Sequence, residues 1–172
     1  MGKKKTNPRR TPLPRNALNK DAIIEEAMKD DMAHAWLLVA GPLLDRGYHL
    51  PPLAEAVSAY VNSSNPKDNK GAIKRAEATL GIEKKHLDPD RVKSPVELAA
   101  FKKKVWKVAM QTALCAIYLA LERVVDKTEL QGIFFSADLT LAEVESGINS
   151  FDELQEELLE RTADLGMIEE RE

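Results

Sequence analysis

The stretch 108–121 constrains the fold more than any other feature, because it is apolar nearly all the way round a helix. A helix without a polar face has to be buried by other parts of the chain. Only Gln111 and Thr112 interrupt it, and its fourteen residues fall short of the roughly 18 that a bilayer span requires. We therefore expect this stretch at the centre of a helical fold, and we expect no membrane partner.

A capping box opens the helix that contains this stretch. Ser94 supplies the N-cap, Pro95 the first helical residue and Glu97 the acid three residues after the cap. We expect this helix to extend to about Val125. The same spacing predicts two further helices, one after Thr140 and one after Ser150.

The N-terminal helix is predicted from its cap and its apolar spacing. Asn19 is the N-cap, and apolar residues then recur at helical intervals as far as Ala40. Gly41 and Pro42 predict a kink in this helix or its end near Ala40, since proline disrupts the hydrogen bonding of a helix interior.

Shorter helices are predicted between the two long ones. Residues 52–61 place their apolar side chains on one face, Asn65–Pro66 begins another helix, and Gly81 is its C-cap. Only residues 132–135 resemble a strand, and a single strand cannot form a sheet. The fold class is therefore all-α, a compact bundle of five to seven helices.

An internal duplication is consistent with the sequence. Four short segments of residues 19–90 resemble four segments of residues 91–172, at offsets of 81, 88, 87 and 85 residues. The pairs are 43–46 with 124–127, 53–55 with 141–143, 62–63 with 149–150, and 80–83 with 165–169. Each match is short, and helices rich in Leu, Ala and Glu resemble one another by composition. Two pseudo-symmetric halves and one undivided domain over residues 19–172 both remain open.

The first 18 residues are predicted to be a flexible basic arm, because three prolines disfavour a helix and few apolar residues could pack. The first fifteen contain six basic residues and no acidic one, whereas the rest of the chain has 19 basic against 28 acidic residues. The basic residues are Lys3, Lys4, Lys5, Arg9, Arg10 and Arg15. They suit phosphate backbones, without base specificity. The alternatives are that the arm contacts an acidic protein, that it contacts the chain's own acidic C-terminus, or that it serves only to increase solubility.

The arm, residues 3–12, resembles the start of small proteins encoded by phages and prophages of Gram-positive bacteria. The proteins of that family resemble this chain in a basic KKxNPRRxP segment. In them this segment is followed by a long Ala-rich helix, a leucine-aspartate-lysine turn and a short final helix. Here the turn corresponds to residues 44–46 or 125–127, and the final helix to residues 149–169. The resemblance implies a phage setting and no particular chemistry.

Two other regions carry uneven charge. Residues 151–172 contain nine acidic residues against Arg161 and Arg171. Residues 67–107 contain twelve basic against six acidic residues, which we interpret as solvated helix faces. The acidic C-terminal region would support nucleic-acid mimicry if its side chains form one continuous stripe.

Candidate catalytic and metal-binding residues are few. Glu26, Asp30 and His34 share one face of the predicted first helix at spacings that can hold a metal, but no further ligand completes a site. Cys115 belongs to the buried apolar stretch, which makes it a packing residue. Trp36 and Trp106 each begin an apolar run and are expected in the core. We expect no catalytic residue, metal or cofactor.

The leading hypothesis is a non-enzymatic phage-type helical interaction protein whose basic arm contacts nucleic acid. A first alternative is an inhibitor of a host defence or replication protein, acting through the acidic C-terminal face. A second is a metal-dependent enzyme built around His34. No secretory signal follows the basic start, so the expected location is the cytoplasm of a bacterial host. The sequence does not determine the oligomeric state or the partner.

Overall fold

The computed structural model describes residues 19–63, 69–82 and 87–162, and these form seven α-helices, one turn of 3₁₀ helix and no strand. The predicted all-α class, with five to seven helices, is confirmed. The α-helices are α1 (Lys20–Met28), α2 (Asp31–Asp45), α3 (Leu50–Ser63), α4 (Lys70–Leu80), α5 (Pro95–Leu121), α6 (Lys127–Glu145) and α7 (Phe151–Arg161). The 3₁₀ turn is Pro89–Arg91.

The chain forms two compact units, and α5 contributes to both. Within the described residues, one unit comprises residues 19–29 and 87–110, and the other comprises residues 30–63, 69–82 and 111–162. Each unit therefore assembles from two separate stretches of sequence.

The smaller unit has a core formed by α1 and the first part of α5. Its buried side chains are Ile23, Ala27, Phe101, Val105 and Ala109. Trp106 is half-buried and packs against this cluster, as do Leu87 and Val92 beside the 3₁₀ turn. Lys102, Lys103 and Lys104 are exposed, in agreement with a solvated basic face.

The larger unit is organised around α2, which packs against α3, α6 and α7, while α4 also contacts α6. The second half of α5 is buried here almost completely, as its apolar pattern predicts. Its fully buried side chains include Ile117, Tyr118 and Leu121. Trp36 of α2 is buried as well.

Polar caps fix several helix ends where the sequence predicts them. The Asn19 side chain accepts a hydrogen bond from the Ala22 amide at 3.1 Å. The Ser94 hydroxyl accepts one from the Glu97 amide at 3.2 Å and donates one to its carboxylate at 3.1 Å. Gly81 ends α4 in the left-handed conformation, with φ of 68°. These contacts satisfy backbone groups that a helix end leaves unpaired.

The predicted single helix from Asn19 to Ala40 is wrong, because the break lies at Lys29–Asp30. Asp30 has a left-handed backbone, with φ of 59°, and α1 and α2 then contribute to different units. No glycine or proline marks this break in the sequence.

Of the two outcomes predicted at Gly41 and Pro42, a kink or a helix end, the helix end is wrong, since α2 continues to Asp45. An interior proline costs about 3 kcal/mol. Leu38, Val39 and Leu43 are no more than 1% exposed, and burying each such side chain contributes about 1.5–3 kcal/mol. Their burial outweighs the cost of the proline.

Thr140 begins no helix, which contradicts the capping box predicted there. It lies inside α6, and its hydroxyl donates to the Ser136 carbonyl oxygen at 3.1 Å. The true cap is Asp126, which accepts a hydrogen bond from the Thr128 amide at 2.9 Å.

Residues 132–135, the segment that resembles a strand, are helical too. A Cβ at Gly132 would lie 3.1 Å from the Arg46 guanidinium carbon, so the glycine leaves room for that side chain.

α5 is longer than the apolar stretch inside it and ends at Leu121, slightly before the predicted Val125. By length and composition α5 is apolar enough to cross a membrane, although 61% of its most apolar window is buried inside the protein. Core helices of soluble proteins pass the same test. The absence of a membrane partner stays a prediction.

Several predictions concern residues outside the described ranges, namely the arm, Asn65–Pro66 and residues 165–169. The structure describes α4 from Lys70, and its N-cap is Asn69. The segments proposed as duplicated occupy different places in their helices, since 53–55 lie near the start of α3 and 141–143 near the end of α6. The duplication stays a prediction.

Candidate functional site

The terminal helix α7 is fixed to α2 by its apolar residues and by its cap. Leu154 and Leu158 are buried, and the Leu158 side chain faces Gly41, where a Cβ would be 3.9 Å from Leu158 Cδ2. The Ser150 hydroxyl accepts a hydrogen bond from the Glu153 amide at 3.2 Å, which confirms the predicted N-cap. The reciprocal bond of a capping box is not made, because the Ser150 amide donates to Asn149 Oδ1 at 2.8 Å. α7 therefore has a defined inner face and a defined outer face.

The outer face of α7 is an acidic stripe. We use this name for the exposed carboxylates that recur every three or four residues opposite Leu154 and Leu158. They are Asp152, Glu153, Glu156, Glu157 and Glu160. Residues at these spacings are neighbours on a helix surface. The acids of α7 are thus continuous and not scattered, which is the arrangement that mimicry requires.

The stripe contains more carboxylates than the stability of α7 requires. Asp152 and Glu153 lie in the first turn, where negative charge favours the helix, but Glu160 lies in the last turn, where it does not. Acid pairs four residues apart, such as Asp152 with Glu156, destabilise an exposed helix by about 0.2–0.5 kcal/mol each. Within the described residues, no salt bridge involves the stripe.

At the last turn of α7, Arg161 pairs with Asp45 at the end of α2. Its Nη2 atom lies 2.7 Å from Asp45 Oδ1, and the two side chains are 39% and 67% exposed. An exposed pair of this kind contributes little to stability. Because Arg161 is bound to Asp45, the only positively charged side chain among the described residues of α7 is drawn away from the acidic stripe.

At the first turn of α7, Phe151 stacks on His34 of α2. The rings are parallel within 2° and their centroids are 4.2 Å apart. Burial lowers the pKa of His34 from its ordinary 6.5, and the nearby carboxylates of Asp30 and Asp152 oppose that shift. Packing therefore favours the neutral form of the imidazole at the point where α7 begins.

The single helix face expected to carry Glu26, Asp30 and His34 does not form. The helix breaks between Glu26 and His34, Asp30 has a left-handed backbone, and His34 stacks on Phe151. No group of three potential metal ligands occurs within the described residues.

Other candidate residues are placed as follows. Cys115 is buried, as predicted for a packing residue, and His49 is exposed between helices. The six basic residues of the arm lie outside the described ranges, so the structure does not bear on them. The sequence indicated the acidity of α7. It did not indicate the cavity that Thr79, Tyr118 and Asp138 line, because these residues belong to three helices.

Comparison with known proteins adds no relative. Neither a protein-family model, nor a curated protein, nor a solved structure matches the chain. The functional argument therefore depends on the surfaces themselves.

Proposed function

We propose that this protein is a non-enzymatic helical interaction protein whose α7 stripe binds a basic surface on a partner protein. The observation that carries the proposal is the alignment of five exposed carboxylates on the outer face of one helix. Regularly spaced negative charge on a rigid support matches a surface built to bind a phosphate backbone. A nucleic-acid-binding protein is thus the kind of partner that fits.

The arm's resemblance to phage and prophage proteins favours a bacterial host as the source of this partner. A host defence or replication protein that binds nucleic acid presents a basic surface of the required kind. Occupying that surface would inhibit the partner without any chemical step. Long-range attraction between the two surfaces would also accelerate their encounter at low salt.

The test compares two triple variants that lose the same charge. Glu156, Glu157 and Glu160 are changed to Gln in one, and Glu25, Glu26 and Glu143 are changed to Gln in the control. All six side chains are exposed. Wild type and both variants are immobilised, incubated with lysate of a Gram-positive host, and washed with duplex DNA as competitor.

We expect wild type and the control to retain the same basic proteins and to release them when DNA is added. The stripe variant should retain none of these proteins. Retention of the same proteins by the stripe variant would refute the proposal. So would their persistence in the presence of excess DNA, because a mimic has to compete for the DNA-binding surface.

A second candidate function is direct contact between the basic arm and nucleic acid, supported by its six basic residues and lack of acidic ones. Six phosphate contacts would give a logarithmic salt dependence with a slope of up to about −5. The test titrates salt against duplex and single-stranded DNA, using the full chain and a chain that starts at Leu18. Equal binding by both chains would eliminate the arm as the contact.

A further inference from the structure

The first part of α5 carries a group of lysines on the solvent side of the smaller unit. Phe101 and Val105 pack into the core of this unit, and the three residues between them are exposed lysines. Successive residues of a helix are about 100° apart, so these three cover the side that faces away from the core. A fourth, half-buried lysine follows one turn later. We call this group the basic face: Lys102, Lys103, Lys104 and Lys107.

No carboxylate of α5 interrupts the basic face. The chain has no acidic residue between Glu97 and Glu122. Within the described residues, no salt bridge involves the lysines at 102–104, although α1 of the same unit exposes acidic side chains. One turn before the lysines, the same side of α5 exposes Ala99 and Ala100. A long anionic ligand that lies along this side of α5 meets only lysines and small side chains there.

The stability of α5 does not explain the positions of these lysines. Positive charges favour the last turn of a helix, where they offset its dipole, but residues 102–107 lie well before the end of α5 at Leu121. Lys107 is four residues from Lys103 and three from Lys104, and like charges at these spacings repel each other on a helix surface. A polyanion bound across the basic face would neutralise this repulsion.

The spacing of the basic face fits the phosphate backbone of duplex DNA. Residues 102–107 extend about 7.5 Å along the helix axis, at 1.5 Å per residue. This length corresponds to roughly two steps of 3.4 Å between successive phosphates of one strand, measured along the duplex axis. Lysine neutralises phosphate as a point charge, and contacts to the backbone carry no base specificity.

The charge of the two units differs in the same sense. Residues 1–29 and 87–110, which are the smaller unit together with the arm that precedes it, contain 14 basic and 6 acidic residues. Residues 30–63, 69–82 and 111–162 of the larger unit contain 7 basic and 16 acidic residues. A polyanion is therefore attracted to the smaller unit and repelled by the larger one.

We propose that the basic face of α5 binds the phosphate backbone of duplex DNA without sequence specificity. This interaction surface does not depend on the acidic stripe of α7. It extends the second candidate function from the arm to a helix of the described structure, because the arm leads into α1, which packs against this part of α5. The proposal stands even if the arm makes no contact of its own.

The experiment measures binding of the full chain to a short fluorescent duplex DNA of mixed sequence, by fluorescence anisotropy at a series of salt concentrations. Three variants each lose three positive charges. The face variant carries Lys103→Gln, Lys104→Gln and Lys107→Gln. The control changes exposed lysines of the larger unit, with Lys70→Gln, Lys74→Gln and Lys127→Gln. The arm variant carries Lys3→Gln, Lys4→Gln and Lys5→Gln.

The salt dependence counts the phosphate contacts that each variant loses. One contact contributes about 0.9 to the slope of log affinity against log salt concentration, so the face variant should lose about 2.7 of the wild-type slope. Between about 50 and 200 mM salt, its affinity should then fall by a factor about 40 times smaller than that of wild type. At the lower salt concentration it should bind at least about tenfold more weakly than wild type. The control should retain the wild-type affinity and slope.

A fourth variant, Ala99→Glu, separates binding from folding. It places a carboxylate on the exposed side of α5 four residues before Lys103, and a glutamate in that position relative to a lysine stabilises an exposed helix. The same carboxylate repels phosphate. We expect weaker DNA binding together with a melting temperature equal to or above that of wild type. Thermal unfolding of the other three variants verifies that they are folded.

Three results would overturn the proposal. The first is a face variant with the affinity and salt slope of wild type; if the arm variant alone weakens binding, the contact belongs to the arm and not to α5. The second is an equal loss of affinity in the face variant and in the control, because binding would then depend on net charge alone. The third is the absence of wild-type binding at the lowest salt concentration.

Discussion

The consecutive helices α6 and α7 both pack against α2, yet their exposed surfaces differ in chemistry. α6 exposes Phe135 and Leu139, which are 67% and 53% accessible, whereas the outer face of α7 is acidic. Carboxylates attract partners over a distance of about 8 Å at physiological salt, while apolar side chains act only in contact. Salt concentration should therefore separate interactions at the two surfaces.

The largest expected effect distinguishes a central helix from a terminal one. Leu130 of α6 and Leu158 of α7 are both buried, at 0% and 4% exposure. Replacing either with alanine should cost about 2–5 kcal/mol. We expect Leu130→Ala to lie at the upper end, because α6 packs against both α2 and α4, and Leu158→Ala at the lower end.

Urea unfolding measures this difference, and amide hydrogen exchange shows where it acts. Leu158→Ala should accelerate exchange mainly in α7, whereas Leu130→Ala should accelerate it throughout the larger unit. Equal acceleration everywhere in Leu158→Ala would mean that α7 opens only when the whole unit unfolds.

A smaller effect is expected at the cap that positions the acidic stripe. Ser150→Ala removes the hydroxyl that binds the Glu153 amide and should cost about 1 kcal/mol, whereas Ser150→Gly should cost only a few tenths. Thermal unfolding compares the two variants with wild type. If alanine and glycine are equally tolerated, the N-terminus of α7 is held by packing and not by its cap.

The smallest expected effect is a pH dependence at the His34–Phe151 stack. Burial lowers the pKa of His34 below 6.5 in the folded protein, against the opposing carboxylates of Asp30 and Asp152. The unfolded chain then binds the proton more readily. The stability contributed by neutral His34 is therefore complete above its ordinary pKa and is lost as pH falls through the lowered value.

Urea unfolding between about pH 7 and pH 5 measures that contribution. Stability should fall less steeply in His34→Gln than in wild type, and His49→Gln, at an exposed position between helices, should retain the wild-type slope. Identical slopes in all three proteins would show that the stack has no role in the pH response.

Local signals in the sequence predicted the helix ends that depend on a few neighbouring residues. Asn19, Ser94 and Ser150 cap helices where expected, because each places an oxygen next to amides of the following turn. The break at Asp30 and the continuity of α2 through Pro42 could not be read in this way. Both depend on which distant residues each helix packs against.

The same distinction applies to the acidic stripe and to the cavity between α4, α5 and α6. Helical periodicity alone aligns Asp152, Glu156 and Glu160 on one face, so the stripe was open to prediction. The cavity was not, because Thr79, Tyr118 and Asp138 belong to three helices and only the tertiary fold brings them together.

The acidic stripe also restricts the symmetry of any complex formed through α7. An isologous dimer places one patch against its own copy, so the same five carboxylates would oppose each other across the two-fold axis. Like charges brought together in an interface are strongly unfavourable. This face therefore admits a different molecule in preference to a second copy of itself, and the exposed Leu159 beside it is shielded from self-association.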